Sequence, residues 1–450
     1  MDTVTLSRAF FGTSLAFHII FATLGIGLSL MILLFEIMYQ WKKDPDYAVM
    51  AKRWTKAFAI LLGVAIPTGT IVGVQIALLW PGFTKIVGQV ISLPFQIEIF
   101  AFFLEALFMS IYVYAADKLS AFLRMLSLVF VMLGATASAV LITSANTWMN
   151  TPAGFSMKPD GTIFDVNPWK AFFNPSFYTG SAHVVVTAYA TGAGVVAAIA
   201  GYKLLKRNKS EREIAYHKKG LLLSLIVTFS MGMLMWVSGH ASAVNLHEHS
   251  PEKLAAAEGL FETQSHAPLA IGGFVDPETK KVKYGIEIPW ALSILAGFTP
   301  DTVVKGLNEF PSETWPPFYT HVFFNLMVGA ASISTGFSAI ALLYWYFIHY
   351  KRSGQLPKWL LWTIVSIGPI SILGIEFGWI FSCSGRQPWT IYGFQKTTEA
   401  ATRADFVAPM YMLFIVLYVF LGALTVTVLR TFFRRHPLLP ELESNGGKTS

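Results

Sequence analysis

The sequence predicts an all-α fold: a polytopic transmembrane helical bundle of about nine spanning helices. Three observations carry this. Hydrophobic residues make up 54% of the chain and charged residues only 13%, with a mean hydropathy of +0.54, far from a soluble globular average. Apolar runs of about 20 residues or more recur from end to end. Lys and Arg gather in alternate loops, the distribution expected of a chain that crosses lipid repeatedly.

Taken in order, the spans are expected at about 9–40, 52–80, 94–117, 121–149, 178–206, 217–244, 318–350, 357–383 and 405–433. The first follows Met1-Asp2-Thr3, which lacks a basic n-region, and is too long for a signal h-region, so no cleavable signal is expected. Lys42, Lys43, Lys52 and Arg53 separate it from the second. The loop after the fifth is denser: Lys203, Lys206, Arg207, Lys209, Arg212, Lys218 and Lys219. Lys351, Arg352 and Lys358 follow the seventh, and Arg430, Arg434 and Arg435 close the ninth. The positive-inside rule then places the N-terminus outside and the C-terminus in the cytoplasm. Several spans exceed the ~20 residues a bilayer needs, so tilt or protrusion is expected. The tail from Arg434 is polar and expected to fray.

Length alone suggests about three domains, but a bundle in lipid forms one unit, so residues 1–450 are read as a single transmembrane domain. Within it, 245–317 is a long extracytoplasmic loop rich in Pro, Glu, His and Gly. A loop of that length usually carries function. The single cysteine, Cys383, excludes intramolecular disulfides, Cys-ligated iron–sulfur clusters and zinc-finger sites. The formal charge of +7 comes from loops on one face and implies no nucleic acid.

Ionisable groups inside lipid are costly and usually have a task. His18, His183, Met327 and Glu376 each lie in an apolar segment, toward the same end. At 1.5 Å per residue each falls within roughly 15 Å of the outer surface. A His/Met pair, a lone His and a lone carboxylate fit axial ligation of several haems. Each also has a plainer reading: a hydrogen-bonded structural His, a core-filling Met, a paired carboxylate. His240 and His321 compete with His183 on position alone. Small residues flank three candidates: Ser14, Ala22 and Gly25 around His18; Gly180, Thr187 and Ala190 around His183; Ala330, Ala331 and Ser334 after Met327. They leave room for a flat macrocycle or simply permit close helix packing. Glu98 and Glu105, seven apart on one helix face, suggest a proton relay, against the alternative of hydrogen bonds to a neighbouring helix.

The pattern resembles subunit I of the cytochrome bd-type quinol oxidases, over nearly the whole chain. Gly385-Arg386-Gln387-Pro388-Trp389 resembles that family's GRQPW signature, Pro251 through Gly259 (PEKLAAAEG) its quinol-binding loop motif, and Phe102-Phe103-Leu104-Glu105 its acidic helix. The resemblance implies a low-spin haem b held by His183 and Met327. It implies two high-spin haems under His18 and Glu376, one b-type and one d-type, or b-type alone as in some relatives. Arg386 falls among the cofactor-binding positions. Lys253 and Glu258 would bind and deprotonate quinol, and Glu98 and Glu105 would carry cytoplasmic protons to the oxygen site. The activity implied is a quinol:O2 oxidoreductase of the bacterial cell membrane, electrogenic without pumping. Its partners would be quinol (ubiquinol or menaquinol), O2, a second membrane subunit and a small single-helix subunit. Three departures stand out. The loop is compact, Ser250-Pro251 stands where Gln-Pro is expected, and Asn325 stands where many members have Arg. Such an Arg would put positive charge beside the low-spin haem, so here its potential is less positive or another cation substitutes. A proton-coupled transporter is the rival from another class, but no internal repeat is apparent. A haem-b electron-transfer anchor is the second, and leaves Glu376 and the Glu98/Glu105 face unexplained.

Overall fold

The structure, a computed structural model, describes residues 2–206, 210–349 and 356–446. Arg207, Lys209, Lys351 and Arg352 of the charge pattern, and residue 350 at the end of the seventh expected span, lie outside the described residues. Among the described residues nine helices are long and apolar enough to cross a membrane.

The chain runs α1 (Thr3–Lys42), α2 (Pro45–Leu79), the short α3 (Pro81–Val90), α4 (Leu93–Ala115) and α5 (Ala121–Asn150). A small hairpin, β1 (Ser156–Met157) with β2 (Ile163–Phe164), and α6 (Pro168–Phe172) lead into α7 (Phe177–Leu205) and α8 (Glu211–His249). The long loop holds α9 (Pro251–Glu258), β3 (Leu269–Ile271), β4 (Phe274–Asp276), β5 (Lys281–Lys283), β6 (Ile286–Ile288) and α10 (Ala291–Gly297). Here β3 pairs antiparallel with β6, and β4 with β5. Then come α11 (Tyr319–Tyr344), α12 (Lys358–Ser384), the hairpin β7 (Trp389–Ile391) with β8 (Gln395–Lys396), α13 (Thr397–Ala400), α14 (Val407–Arg435) and α15 (Leu438–Gly446).

The nine expected spans are all present; their ends move. α1 begins at Thr3 because Asp2 caps it, the carboxylate accepting the Thr5 N–H at 2.8 Å. α2 begins at Pro45, with Asp44 as cap and proline in the first turn. α8 starts with a capping box, Ser210 and Glu213, and runs on to His249, so the first residues of the expected loop are helical. Hydropathy registers the apolar middle of a helix and is blind to polar first turns. Two regions differ more. The connection after α2 contains α3, whose Phe83, Val87 and Val90 are buried. Through residue 446 the tail is folded where fraying was expected: α15 docks Leu438 and Leu442 into the core cluster of α1 and α2, and Arg53 pairs with Glu441 at 2.9 Å.

α1 and α7 form the centre and cross backbone to backbone. A side chain on Gly27 would lie 2.6 Å from the Gly192 Cα, so glycine at both positions sets how closely the two helices meet. α14 is peripheral, with Met412, Leu413, Val416, Val419 and Phe420 exposed. At the basic end, buried acids collect loop cations. Asp46 receives Arg212 and Lys219, and Glu36 receives Arg124 at 3.1 Å.

Candidate functional site

His18 and His183 are anchored alike. The Thr68 hydroxyl on α2 donates to the Val64 carbonyl at 2.7 Å, so it accepts from His18 Nδ1, 3.1 Å away. On α8 the Ser238 hydroxyl donates to the Met235 carbonyl at 3.1 Å and accepts from His183 Nδ1 at 3.0 Å. A glycine follows each hydroxyl residue and lies under the imidazole. A Cβ on Gly69 would come within 3.0 Å of His18, and one on Gly239 within 3.7 Å of His183. Pinning Nδ1–H fixes the tautomer and leaves Nε2 with its lone pair, as metal-ligating histidines require.

Met327 lies on the α11–α12 seam. A Cβ on Gly378 would meet its sulfur at 3.0 Å; Ala330 faces Gly374, and Ser371 donates to Ser334 at 3.2 Å. The small residues after Met327 therefore serve this seam. Gly180 likewise serves packing, since the Thr147 methyl occupies its side-chain space. Glu376 lines a narrow gap between α1, α7 and α12 with Ile20, Thr23 and Thr191. Its Oε1 is buried without a hydrogen-bond partner among the described residues. The gap opens one turn beyond His18 on α1, so these two belong to one region, while His183 and Met327 belong to the α7–α8 and α11–α12 seams.

The competing histidines separate on geometry. Both nitrogens of His321 are taken, Nδ1 by the Ala257 carbonyl at 2.7 Å and Nε2 by the Gly272 carbonyl at 3.0 Å, which leaves none for iron. His240 packs edge-on against Phe298. Among the described residues no three His, Cys, Asp or Glu converge to hold a bare ion. One or two protein ligands per iron suffice where a macrocycle provides the rest, so the donor set fits haem.

On the acidic helix, Ser138 of α5 donates to Glu98 at 3.0 Å. One turn earlier Gly134 lets the α5 backbone close on Glu105, which is buried. The same face reaches Tyr112, seven residues on, whose hydroxyl donates to buried Glu36 at 3.2 Å. The sequence reading missed Tyr112 and Glu36; the continued seven-residue spacing was the available signal.

The loop residues do not form one cluster. α9 is buried from Glu252 to Glu258, so its side chains point inward on several sides. Lys253 donates to the Asn150 side chain at 2.9 Å and the Ser382 carbonyl at 3.0 Å, and lies over the Phe381 ring. Arg386 is buried beside it, with Nε and Nη1 unpartnered among the described residues. Burial, and after it the Arg386 charge, bring the Lys253 ammonium down to about 7. Glu258, five residues on and so about 140° around the helix, faces away from Lys253. Both its oxygens are buried without a hydrogen-bond partner among the described residues, and burial pushes the carboxyl up to about 8. Glu252, passed over in the sequence, accepts from Thr314 at 2.7 Å and Tyr392 at 3.2 Å.

Known proteins match this chain over nearly its whole length. The family described as Cytochrome bd terminal oxidase subunit I matches residues 6–437. The chain belongs to that family. A Bacillus subtilis (strain 168) protein named as a cytochrome bd menaquinol oxidase subunit I is 54% identical over 99% of each chain. The same organism's cytochrome bd ubiquinol oxidase subunit 1 is 32% identical, over 95% of this chain and 92% of its own. The structure of the bd oxidase from Geobacillus thermodenitrificans superposes with a TM-score of 0.91 at 42% identity, covering 97% of this chain and 99% of that one. Membership makes the chain a haem-containing, multi-pass protein of the bacterial cytoplasmic membrane and the catalytic subunit of a terminal quinol oxidase.

Proposed function

We propose that this subunit oxidises quinol at the loop of residues 245–317 and reduces O2 to water beneath that loop, taking protons from the opposite face. The carrying observation is the matched anchoring of His18 and His183, which leaves Nε2 of each ready to bind iron. Haem iron, when bound, supplies one-electron transfer and the reduction of oxygen. His183 and Met327 are the ligands of a low-spin b haem. His18 and Glu376 would each hold one of two high-spin haems, one b-type and one d-type, and each such iron would take a single protein ligand.

Glu258 accepts a quinol proton, and Lys253 holds the quinol oxygen or an anionic edge of a cofactor together with Arg386. Glu98, Glu105 and the Tyr112–Glu36 contact carry protons along α4. The N-terminus lies outside and the C-terminal helix α15 in the cytoplasm, beside the second membrane subunit and a small single-helix one. The test is colour. Co-expressed with its companion subunit in haem-replete cells, the protein gives a reduced-minus-oxidised spectrum with b-type bands and a far-red chlorin band. Bands of b alone would remove the d-type haem; colourless protein would remove the whole reading.

A further inference from the structure

We propose that α10 lies in the surface of the bilayer, with a stripe of Trp290, Ile294 and Phe298 against the acyl chains of the lipids beside α8. These three residues are 55%, 44% and 69% exposed. They stand four apart, and two backbone bonds put them on successive turns. The Ile294 N–H donates to the Trp290 carbonyl at 3.1 Å, and the Phe298 N–H to the Ile294 carbonyl at 2.9 Å. The other side of α10 is already taken by protein. Leu292 and Ala296 share a buried cluster with Leu254 of α9, and Leu246 of α8 packs against it. The one hydroxyl on α10, that of Ser293, accepts the Ala267 N–H at 2.8 Å. A helix apolar on both sides belongs within protein or lipid, not in water.

α8 shows what covers the free side. Phe298 packs edge-on against His240, ring centroids 5.1 Å apart. About one turn before His240 on this spanning helix come Trp236 and Val237, 51% and 68% exposed, which makes them part of its lipid-facing surface. After Val237 the helix becomes more polar, with Ser238, Ser242 and Asn245. The apolar surface of α8 therefore ends at the level of His240, and Phe298 continues it sideways onto α10.

The composition suits that depth. No charged residue occurs from Ile288 to Pro300, so the stripe meets acyl chains without desolvating an ion. Aromatic side chains are the usual residents of the boundary between hydrocarbon and water. Trp290 and Phe298 also carry positive φ angles, 63° and 65°, where bulky residues are rare. The chain thus turns into and out of α10 on two aromatic residues, at a backbone cost that glycine would avoid. Their contact with lipid offsets that cost. It anchors the loop of residues 245–317 at the membrane surface and does not depend on the quinol reading above.

The test uses the oxidase with its companion subunit in nanodiscs of phosphatidylcholine bearing a diazirine at the end of one acyl chain. After illumination, adducts are mapped by peptide mass spectrometry. Trp290, Ile294 and Phe298 should be labelled about as strongly as Val237, which reports that the bundle is inserted. Labelling of Val237 with none between 288 and 300 overturns the proposal. So does cross-linking of this stripe to the companion subunit in place of lipid, which would make the face a subunit contact. Phe298→Asp should lower the adducts at Trp290 and Ile294 by about tenfold or more with Val237 unchanged; undiminished labelling in that variant also overturns it. Ile294→Ser adds no charge and should lower labelling at Trp290 and Phe298 several-fold, which keeps the test decisive if the aspartate disturbs the bundle. Replacing half of the lipid with anionic phosphatidylglycerol should leave the yield level. Adducts that require the anionic lipid would mean that basic groups hold the loop to headgroups, and the acyl-chain contact would fall.

Discussion

At the residue scale, the site consists of side chains whose second partner is fixed in advance. Thr68 and Ser238 do for two imidazoles what a carbonyl or carboxylate does in many metal centres: they orient the ring and settle which nitrogen stays free. Met327 has no such partner, only the space left by Gly378. Met327→Leu keeps volume and removes the sulfur. On the ligation proposed above, the low-spin haem should become high-spin, with its reduced bands broadened; an unaltered reduced spectrum would strike Met327 from the proposed ligands. Glu258 gives a signed pH prediction. Burial raises its carboxyl to about 8, so the acceptor form grows as pH rises through about 8 and levels about one unit above it. kcat/KM for quinol should follow that rise, and Glu258→Gln should flatten it while lowering it by tenfold or more. A rise that survives in Glu258→Gln would assign the titration elsewhere. His18, His183 and Glu376 were legible as candidates because an ionisable group stands out in hydrocarbon; Met327, one of 15 methionines, was carried mainly by the resemblance. Thr68 and Ser238 were not legible, since a hydroxyl among apolar neighbours is ordinary and only the fold brings it to a ring fifty residues away in sequence.

At the element scale, helix faces read easily and helix contacts do not. The spacing of Glu98 and Glu105 gave the acidic face directly. The seam that presses α5 onto it depends on Gly134 and Ser138, which the sequence does not single out. Glu105→Ala should slow oxygen reduction by about 10²-fold or more while quinol still reduces the low-spin haem; unchanged turnover would end the relay. α9 shows the opposite case. Its motif was plain, but a helix flanked by a long polar loop looks solvent-exposed, and nothing in the sequence told that it is buried against α5, α11 and α12 with its charges pointing apart. α15 was misread for the same reason. Leu438 and Leu442 are two apolar residues in a polar tail, and their burial comes from the shelf that α1 and α2 provide. Leu442→Ala should cost about 2 kcal/mol of docking, seen as protease cleavage near 436–446 in detergent micelles while the rest of the chain stays intact. A tail no more sensitive than before would mean that the Arg53–Glu441 pair alone holds it.

At the scale of the whole molecule, function depends on which end of the bundle each reagent enters. The ligand candidates and the loop of residues 245–317 share one end, while the ion pairs of Asp46, Glu36 and Arg53 mark the other. On the orientation proposed above, that second end faces the cytoplasm. Between the two ends runs the α4 face, from the Tyr112–Glu36 contact through Glu105 to Glu98. If electrons are delivered near one surface and protons arrive from the other, each electron consumed moves about one charge across the bilayer with no pumping element, and every 100 mV of potential holds back about 2.3 kcal/mol per charge. In sealed vesicles with quinol supplied outside, the complex should therefore generate a voltage of about one charge per electron, sensitive to ionophore, and Glu105→Ala should lower its rate and not its ratio. A ratio near zero would mean that the oxygen site draws its protons from the quinol side, so that the acids on α4 are structural. A ratio near two would point to a proton path beyond the single line of acids on α4, around which Met109, Leu128 and Val131 form a buried apolar cluster.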